Sequence, residues 1–392
     1  MQNNKIAQNL CIGCGLCHSE INVSFEKKET GFLKIKEPLT EDQEVFIDRV
    51  CPVLGKNGAD NHITDIWGKR KAIYQGFATD TEVRRKASSG GMITALGMYL
   101  LSSRKVDGVI HISRDENTVY GTKTIISTTY KEIIKSLGSR YSISSPWYDL
   151  KHLVESDKKY LAIGKPCDIA ALKSAQTNLG LYPNIIYLIS FFCAGMPSDR
   201  ANRTLLRELK CTEDNCRSLD YRGNGWPGYA VAVDSEGHEH QMEYSNSWGG
   251  ILGRDVHNFC RICNDGIGLN ADISCGDGWY IKDNKPDFSE HDGRNIVIAR
   301  NDKGEKLLQE AQDAGYINVS PWDDVSELKV IQYYQYTRRA TMRAKLMAYR
   351  LFGKTTPEYD RKTVNELSKL IPFKKRVHIF LGTVKRAVKG RI

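Results

Sequence analysis

Apolar residues gather unevenly along the chain. From about Ala72 onward, short β-rich runs alternate with helix-like segments. "DGVIHIS", "KYLAIG", "NIIYLISFF" and "NIVIAR" read as buried strands, and "SGGMITALGMYLLSS" as a buried helix. Strands interleaved with helices in this way predict an α/β fold with a mixed sheet at its core. "YAVAVDSEGHEHQMEY" alternates on both sides of a Gly-containing turn, which predicts a hairpin. Neither a solenoid repeat nor a low-complexity tract interrupts this pattern.

The two ends have a different texture. Residues 1–65 lack regular periodicity yet carry cysteines, as expected of a small domain organised by a bound cluster. The last 60 residues predict a helix over "TRRATMRAKLMAYRLFG", a linker near Lys354 to Asp360, and a second, basic amphipathic segment.

Charge sharpens the division. The net charge is +9, but residues 334–392 hold 16 Lys or Arg against 3 Asp or Glu, so the rest is slightly acidic. The final stretch, "FKKRVHIFLGTVKRAVKGRI", mixes Val377, Ile379, Phe380, Leu381 and Val384 with cations, the composition of a helix lying on an anionic membrane surface. A solvated tail or a partner-binding helix accounts for it equally well. Nucleic acid is not expected, because no reading motif accompanies the charge. No apolar run reaches eighteen residues, and "MQNNKIAQNLC" lacks the blocks of a secretory signal. Both point to the cytoplasm, with the inner face of the membrane as a docking place for the tail.

In that compartment, 11 cysteines suggest metal or redox chemistry rather than disulfides. "CIGCGLC" places Cys11, Cys14 and Cys17 at C-x2-C-x2-C, the start of a bacterial ferredoxin run. The usual fourth cysteine is absent, since Ile21 and Asn22 stand at its place. A remote Cys-Pro pair, Cys51-Pro52, is the candidate replacement, which gives a [4Fe-4S] set of Cys11, Cys14, Cys17 and Cys51. Zinc is the competing reading, but it favours paired C-x2-C knuckles. A second set is Cys167, Cys193, Cys260 and Cys263. The first two follow strand-like runs and can reach one sheet edge, and the C-x2-C pair can close the site from a loop. Buried cysteines after strands are also ordinary core residues. Cys211, Cys216 and Cys275 receive no ligand role: "CTEDNC" reads as an exposed loop, and Cys275 as a strand residue.

Two glycine-rich segments add candidate pocket residues. In "RRKASSGGMITALGMYL", Ser88 or Ser89 can cap the buried helix, and Arg84, Arg85 and Lys86 stand upstream of its free amides. A phosphate is one guest for such a site; a capped helix behind a solvated basic run is the plainer alternative. "YRGNGWPGYAVAV" contains G-x-G-x-x-G at Gly223, Gly225 and Gly228, but it leads into a strand, so it reads as a pocket-lining loop rather than a dinucleotide fingerprint. Arg222 and Asp277 are candidate polar groups of the same pocket. His238 and His240 flank the hairpin turn as exposed residues.

Six segments in order, "CIGCGLC", "RRKASSGGMITALGMYLL", "IGKPCDIAALKSA", "FFCAGMPS", "YRGNGWPG" and "CRICNDGIGLNADISCGDGW", resemble the coenzyme F420 hydrogenase/dehydrogenase beta-subunit family over residues 8 to 300. The resemblance implies an iron-sulfur flavoprotein with FAD and two 4Fe-4S clusters. It implies that Lys86, Ser88, Ser89, Gly90 and Gly91 belong to the FAD phosphate site. Arg222, Gly223, Gly225, Gly276 and Asp277 would lie in loops at the flavin. Cys167, Cys193, Cys260 and Cys263 would ligate the second cluster. The expected organisation is a ferredoxin-like 4Fe-4S domain over 1–65, a flavin- and cluster-binding core over 70–325, and a basic helical tail over 326–392.

The first expected role is a flavin-dependent reductase. It would take single electrons from a ferredoxin-like donor and act on a small molecule, such as a sugar or lipid-linked sugar of cell-surface polysaccharide biosynthesis. The second is an electron-transfer subunit serving a hydrogenase-like partner. A homo-oligomer is compatible with either, and no general acid is evident in the sequence.

Overall fold

The structure is a computed structural model. It describes residues 2–56 and 64–390; the end of the expected N-terminal domain, 57–63, and the last two residues of the tail lie outside the described residues. An eight-stranded sheet forms the centre. Its order is Ile317–Pro321, Ala72–Ala78, Asn295–Ala299, Ile273–Asp277, Ile185–Phe191, Tyr160–Gly164, Gly108–Arg114 and Thr122–Ser127. Four adjacent strands, from Ile273–Asp277 to Gly108–Arg114, run parallel, and the flanking strands pair antiparallel. The parallel block explains the continuous apolar runs in the sequence, because both of its faces are covered.

One face packs against the helices Met92–Ser102 and Asp302–Asp313 through Met92, Leu96, Leu100, Val109, Leu161 and Leu307. The opposite face receives the helix Pro166–Leu179, with Ile169 and Leu172 set against Ile110 and Leu188. Leu16, Phe46 and Val50 of the N-terminal segment join that same cluster. A separate three-stranded sheet, Glu239–Glu243, Tyr229–Asp234 and Cys216–Asp220, contains the expected hairpin.

Several expectations require correction. The N-terminal segment is not irregular: it holds helices Gln2–Leu10, Leu16–Ile21 and Glu41–Val50. The last of these starts on a capping box, with the Gln43 amide donating to Thr40 Oγ1 and the Thr40 amide to Gln43 Oε1. "CTEDNC" is exposed only in its middle; Cys211 and Cys216 are buried, and Cys216 opens a strand. Neither Ser88 nor Ser89 caps the buried helix. Gly91, at φ 78°, occupies the cap position, where a Cβ would press on Ala78 and Val83. The helix expected over "TRRATMRAKLMAYRLFG" divides at Thr341 into Tyr333–Ala340 and Met342–Leu351.

The segment near Lys354 to Asp360 is held rather than free, since the Glu358 amide donates to the Leu54 carbonyl. The two chain ends in fact share a core. Ile6, Leu10, Val53 and Leu54 pack with Ile262, Met342, Tyr349 and Val364.

Candidate functional site

The three-cysteine loop follows the helix Gln2–Leu10, and its path depends on two left-handed glycines. Gly13 has φ 67° and Gly15 φ 90°. At Gly15 a Cβ would lie 2.5 Å from the Tyr148 backbone, so no other residue fits there. The loop is pinned by the Trp147 amide donating to the Cys14 carbonyl at 2.9 Å, and the Gly13 amide points at Cys11 Sγ from 3.4 Å. Cys51 arrives at the C-cap of Glu41–Val50, where Pro52 begins a tight turn. The four thiols lie close enough to repel one another. Burial, with the Asp168 charge and then Cys11 adding to it, pushes Cys14 up to about 12, and burial followed by thiol repulsion pushes Cys17 and Cys51 well above the ordinary thiol range. Burial pushes Cys11 up to about 11.

The second set gathers past the carboxyl ends of two adjacent parallel strands, where α/β folds place their sites. Cys167 sits in the first turn of Pro166–Leu179, and Cys193 follows Ile185–Phe191. Cys260 and Cys263 lie in and just after the short helix Asn258–Arg261. Burial is the main force raising Cys167 far above its usual value, Cys193 to about 11 and Cys263 to about 12, with mutual repulsion adding to it. The Met196 amide points at Cys260 Sγ from 3.4 Å.

Two buried cations stand by these thiols. Lys165 Nζ is 2.8 Å from Asp168 Oδ2 and 2.5 Å from Ser144 Oγ. Its charge and that of Asp168 act on Cys14 of the first set and on Cys167 of the second, and the four cysteines of the first set pack in the same apolar cluster as Cys167 and Cys263. Arg338 comes from beyond the core. It donates to the carbonyls of Cys193 at 2.7 Å and Cys260 at 2.8 Å, and Gln335 Nε2 adds a bond to the Cys193 carbonyl at 3.0 Å. Tyr359 clamps the other side, donating to the Ile262 carbonyl at 3.0 Å and accepting from the Asn264 amide at 3.2 Å.

Each set offers four thiols, the donor number that an iron-sulfur core takes from a protein, with backbone amides and nearby cations at hand. Among the described residues, no three His, Cys, Asp or Glu groups are close enough together to share one metal ion.

A cavity of about 1320 Å³ opens at the same sheet edge, larger than the ~300–1,000 Å³ of a usual small-molecule pocket. Ser88, Ser89, Gly91, Arg222, Gly276 and Asp277 line it, and so does Cys193. The Ser88 hydroxyl is buried with no partner among the described residues, while Ser89 Oγ donates to the Arg294 carbonyl. An orphaned hydroxyl beside glycine amides fits a ligand phosphate, and the aromatic wall of Tyr244, Trp248 and Trp279 fits a planar ring system.

Four expected residues stand outside this lining. Lys86 turns to Glu82 at 2.6 Å. Gly90 packs against Gly76 and Asn295, Gly223 lies against the Lys86 carbonyl, and the Gly225 amide donates to the Arg85 carbonyl at 3.0 Å. Their part is to shape the loops behind the pocket. Arg222 and Asp277 engage each other through two contacts of 3.0 and 3.3 Å, and Arg222 also stacks on Tyr244. They therefore brace the wall more than they offer free charge. His238 is exposed as expected, whereas His240 is half-buried, and both bond Asp234 in the hairpin.

Sequence reasoning passed over Lys165, Ser144 and Arg338. Only Lys165 carried a local signal, in its place two residues before Cys167.

Comparison with known proteins places the chain in a family. Residues 73–151 match the family model described as coenzyme F420 hydrogenase/dehydrogenase, beta subunit N-term, and residues 157–325 match the companion model for the C terminus of that subunit. The F420-dependent formate dehydrogenase subunit beta of Methanocaldococcus jannaschii is 26% identical over 245 residues, 62% of this chain and 60% of that protein. The chain thus spans well under two thirds of that relative's length. The coenzyme F420 hydrogenase subunit beta of Methanococcus voltae is 24% identical, covering 74% of this chain and 99% of its own. A chain of the F420-reducing [NiFe] hydrogenase complex from Methanosarcina barkeri shares the fold, with a TM-score of 0.59 at 21% identity, covering 75% of this chain and 98% of that one. The two family models cover most of the chain and take in the whole second cysteine set and every lining residue expected from the sequence, and on that ground the chain belongs to the coenzyme F420 hydrogenase/dehydrogenase beta-subunit family.

Proposed function

We propose that this chain is an iron-sulfur flavoprotein that transfers electrons as the beta-type subunit of a larger oxidoreductase assembly. One observation carries the reading: Cys193 belongs to the second cysteine set and also lines the large cavity. The first set packs in one apolar cluster with Cys167 and Cys263 of the second, and the charges of Lys165 and Asp168 act on both sets. In this reading Cys11, Cys14, Cys17 and Cys51 hold one 4Fe-4S cluster, and Cys167, Cys193, Cys260 and Cys263 the other. Ser88, Gly91 and Gly276 hold FAD against the aromatic wall. When bound, the clusters would supply one-electron steps and the flavin would join them into two-electron transfer. The chain's own residues provide burial, fixed cations and exclusion of water.

The relatives named above are hydrogenase and dehydrogenase subunits. That favours the electron-transfer subunit over the free-standing reductase, and a protein partner over a ferredoxin donor and a sugar substrate. None of them ties the chain to polysaccharide biosynthesis. The test is oxygen-free purification with iron, acid-labile sulfide and flavin measured per chain. About eight irons and one FAD are expected, falling to about four irons in Cys14→Ala and in Cys263→Ala. Iron near four in the unaltered chain, or no flavin in an iron-loaded one, would overturn the reading.

A further inference from the structure

The helix Phe373–Val388 turns its polar Thr383 inward and packs beside the helix Met342–Leu351. Its outer face is mixed, with an apolar stripe beside exposed cations. Phe373 is 70% exposed, Leu381 58% and Val388 71%, with Val377 exposed between them. At 100° per residue these four fall within an arc of about 80°, a single stripe along the helix. Lys374, Lys385 and Lys389 run beside the stripe and are exposed too. From Leu370 to Gly390 there are six Lys or Arg and no Asp or Glu. Exposed Met347, Leu351 and Leu370 add apolar surface from the adjoining helices.

We infer that this face docks the protein on an anionic lipid bilayer. The stripe would enter the boundary between headgroups and acyl chains while the lysines meet lipid phosphates. A protein partner suits the face less well, because lysine is depleted from protein interfaces and here three exposed lysines flank the stripe. A second copy would bring like charges together.

Docking would also orient the cavity. Lys375 Nζ contacts the Tyr333 hydroxyl at 2.8 Å, and Tyr333 lines the cavity while remaining half exposed. The first turn of the docking helix therefore touches the cavity rim, which would lie near the headgroup layer.

The test uses the full-length chain with its cofactors, sedimented with phosphatidylglycerol/phosphatidylcholine vesicles or with phosphatidylcholine alone. Partition to the anionic vesicles only, weakening as salt rises, is expected. The double variant Phe373→Ser/Leu381→Ser should lose at least tenfold in partition with an unchanged melting temperature, since both side chains project into solvent. Protein that stays in the supernatant with both vesicles overturns the inference, as does partition unaffected by the double substitution. A dimer in vesicle-free solution that the same substitutions dissociate would assign the face to self-association instead. Iron and flavin contents are measured on the same samples, so failure here is separable from failure of the proposed function.

Discussion

Gly15 holds φ 90° with the Tyr148 backbone where a Cβ would be. Gly15→Ala should therefore cost about 1–3 kcal/mol through backbone strain alone, before any clash. A lower melting temperature with reduced iron in the purified chain is the expected readout. Arg338 presents the opposite problem, a long side chain that serves backbone from elsewhere. Arg338→Met would leave the Cys260 carbonyl without this donor, at about 1–3 kcal/mol, while the Cys193 carbonyl keeps Gln335, and iron should be lost from the second set first. Asp277→Ala would strand Arg222, whose side chain is only 3% exposed, and should destabilise by about 3–5 kcal/mol in denaturant melts, with weaker flavin retention. These three residues differ in legibility. A C-x2-C-x2-C loop announces its glycines, and Cys51 announces itself by the following proline. Nothing in the sequence shows that an arginine 78 residues after Cys260 reaches its carbonyl.

The helix Asn258–Arg261 is capped by His257, whose Nδ1 accepts the Phe259 amide at 3.1 Å. Burial holds that imidazole down at about 4, against an unfolded value near 6.5. The neutral form is thus favoured in the fold. Its contribution is complete above about pH 6.5 and disappears as pH falls to about 4, amounting to up to about 3 kcal/mol. Melts across that range should show the decline, and His257→Gln should flatten it. Among the elements, the central strands were readable because burial on both faces forces continuous apolar runs. The N-terminal helices were not, since their apolar faces are short and irregular; the Thr40 to Gln43 capping box was the available signal. Ser88 and Ser89 misled for a related reason: both serines precede a helix that a left-handed glycine caps instead.

At the scale of the molecule, the sequence suggested a core over 70–325 followed by a separate basic helical tail. Composition reveals charge but not contact, and residues 326–392 supply Arg338, Gln335 and Tyr359 to the second cysteine set. A chain ending at residue 325 should therefore be poorly soluble and unable to retain full iron, as elution volume and iron content would show. The apolar cluster shared by the two chain ends also has a consequence for synthesis. Leu10, Val53 and Leu54 leave the ribosome long before Met342, Tyr349 and Val364, which complete their packing. At about 5–20 residues per second, the gap is roughly 15–60 s. The cysteine loop, translated first, thus has part of its cover completed last, and its thiols stay accessible over that interval to whatever delivers iron.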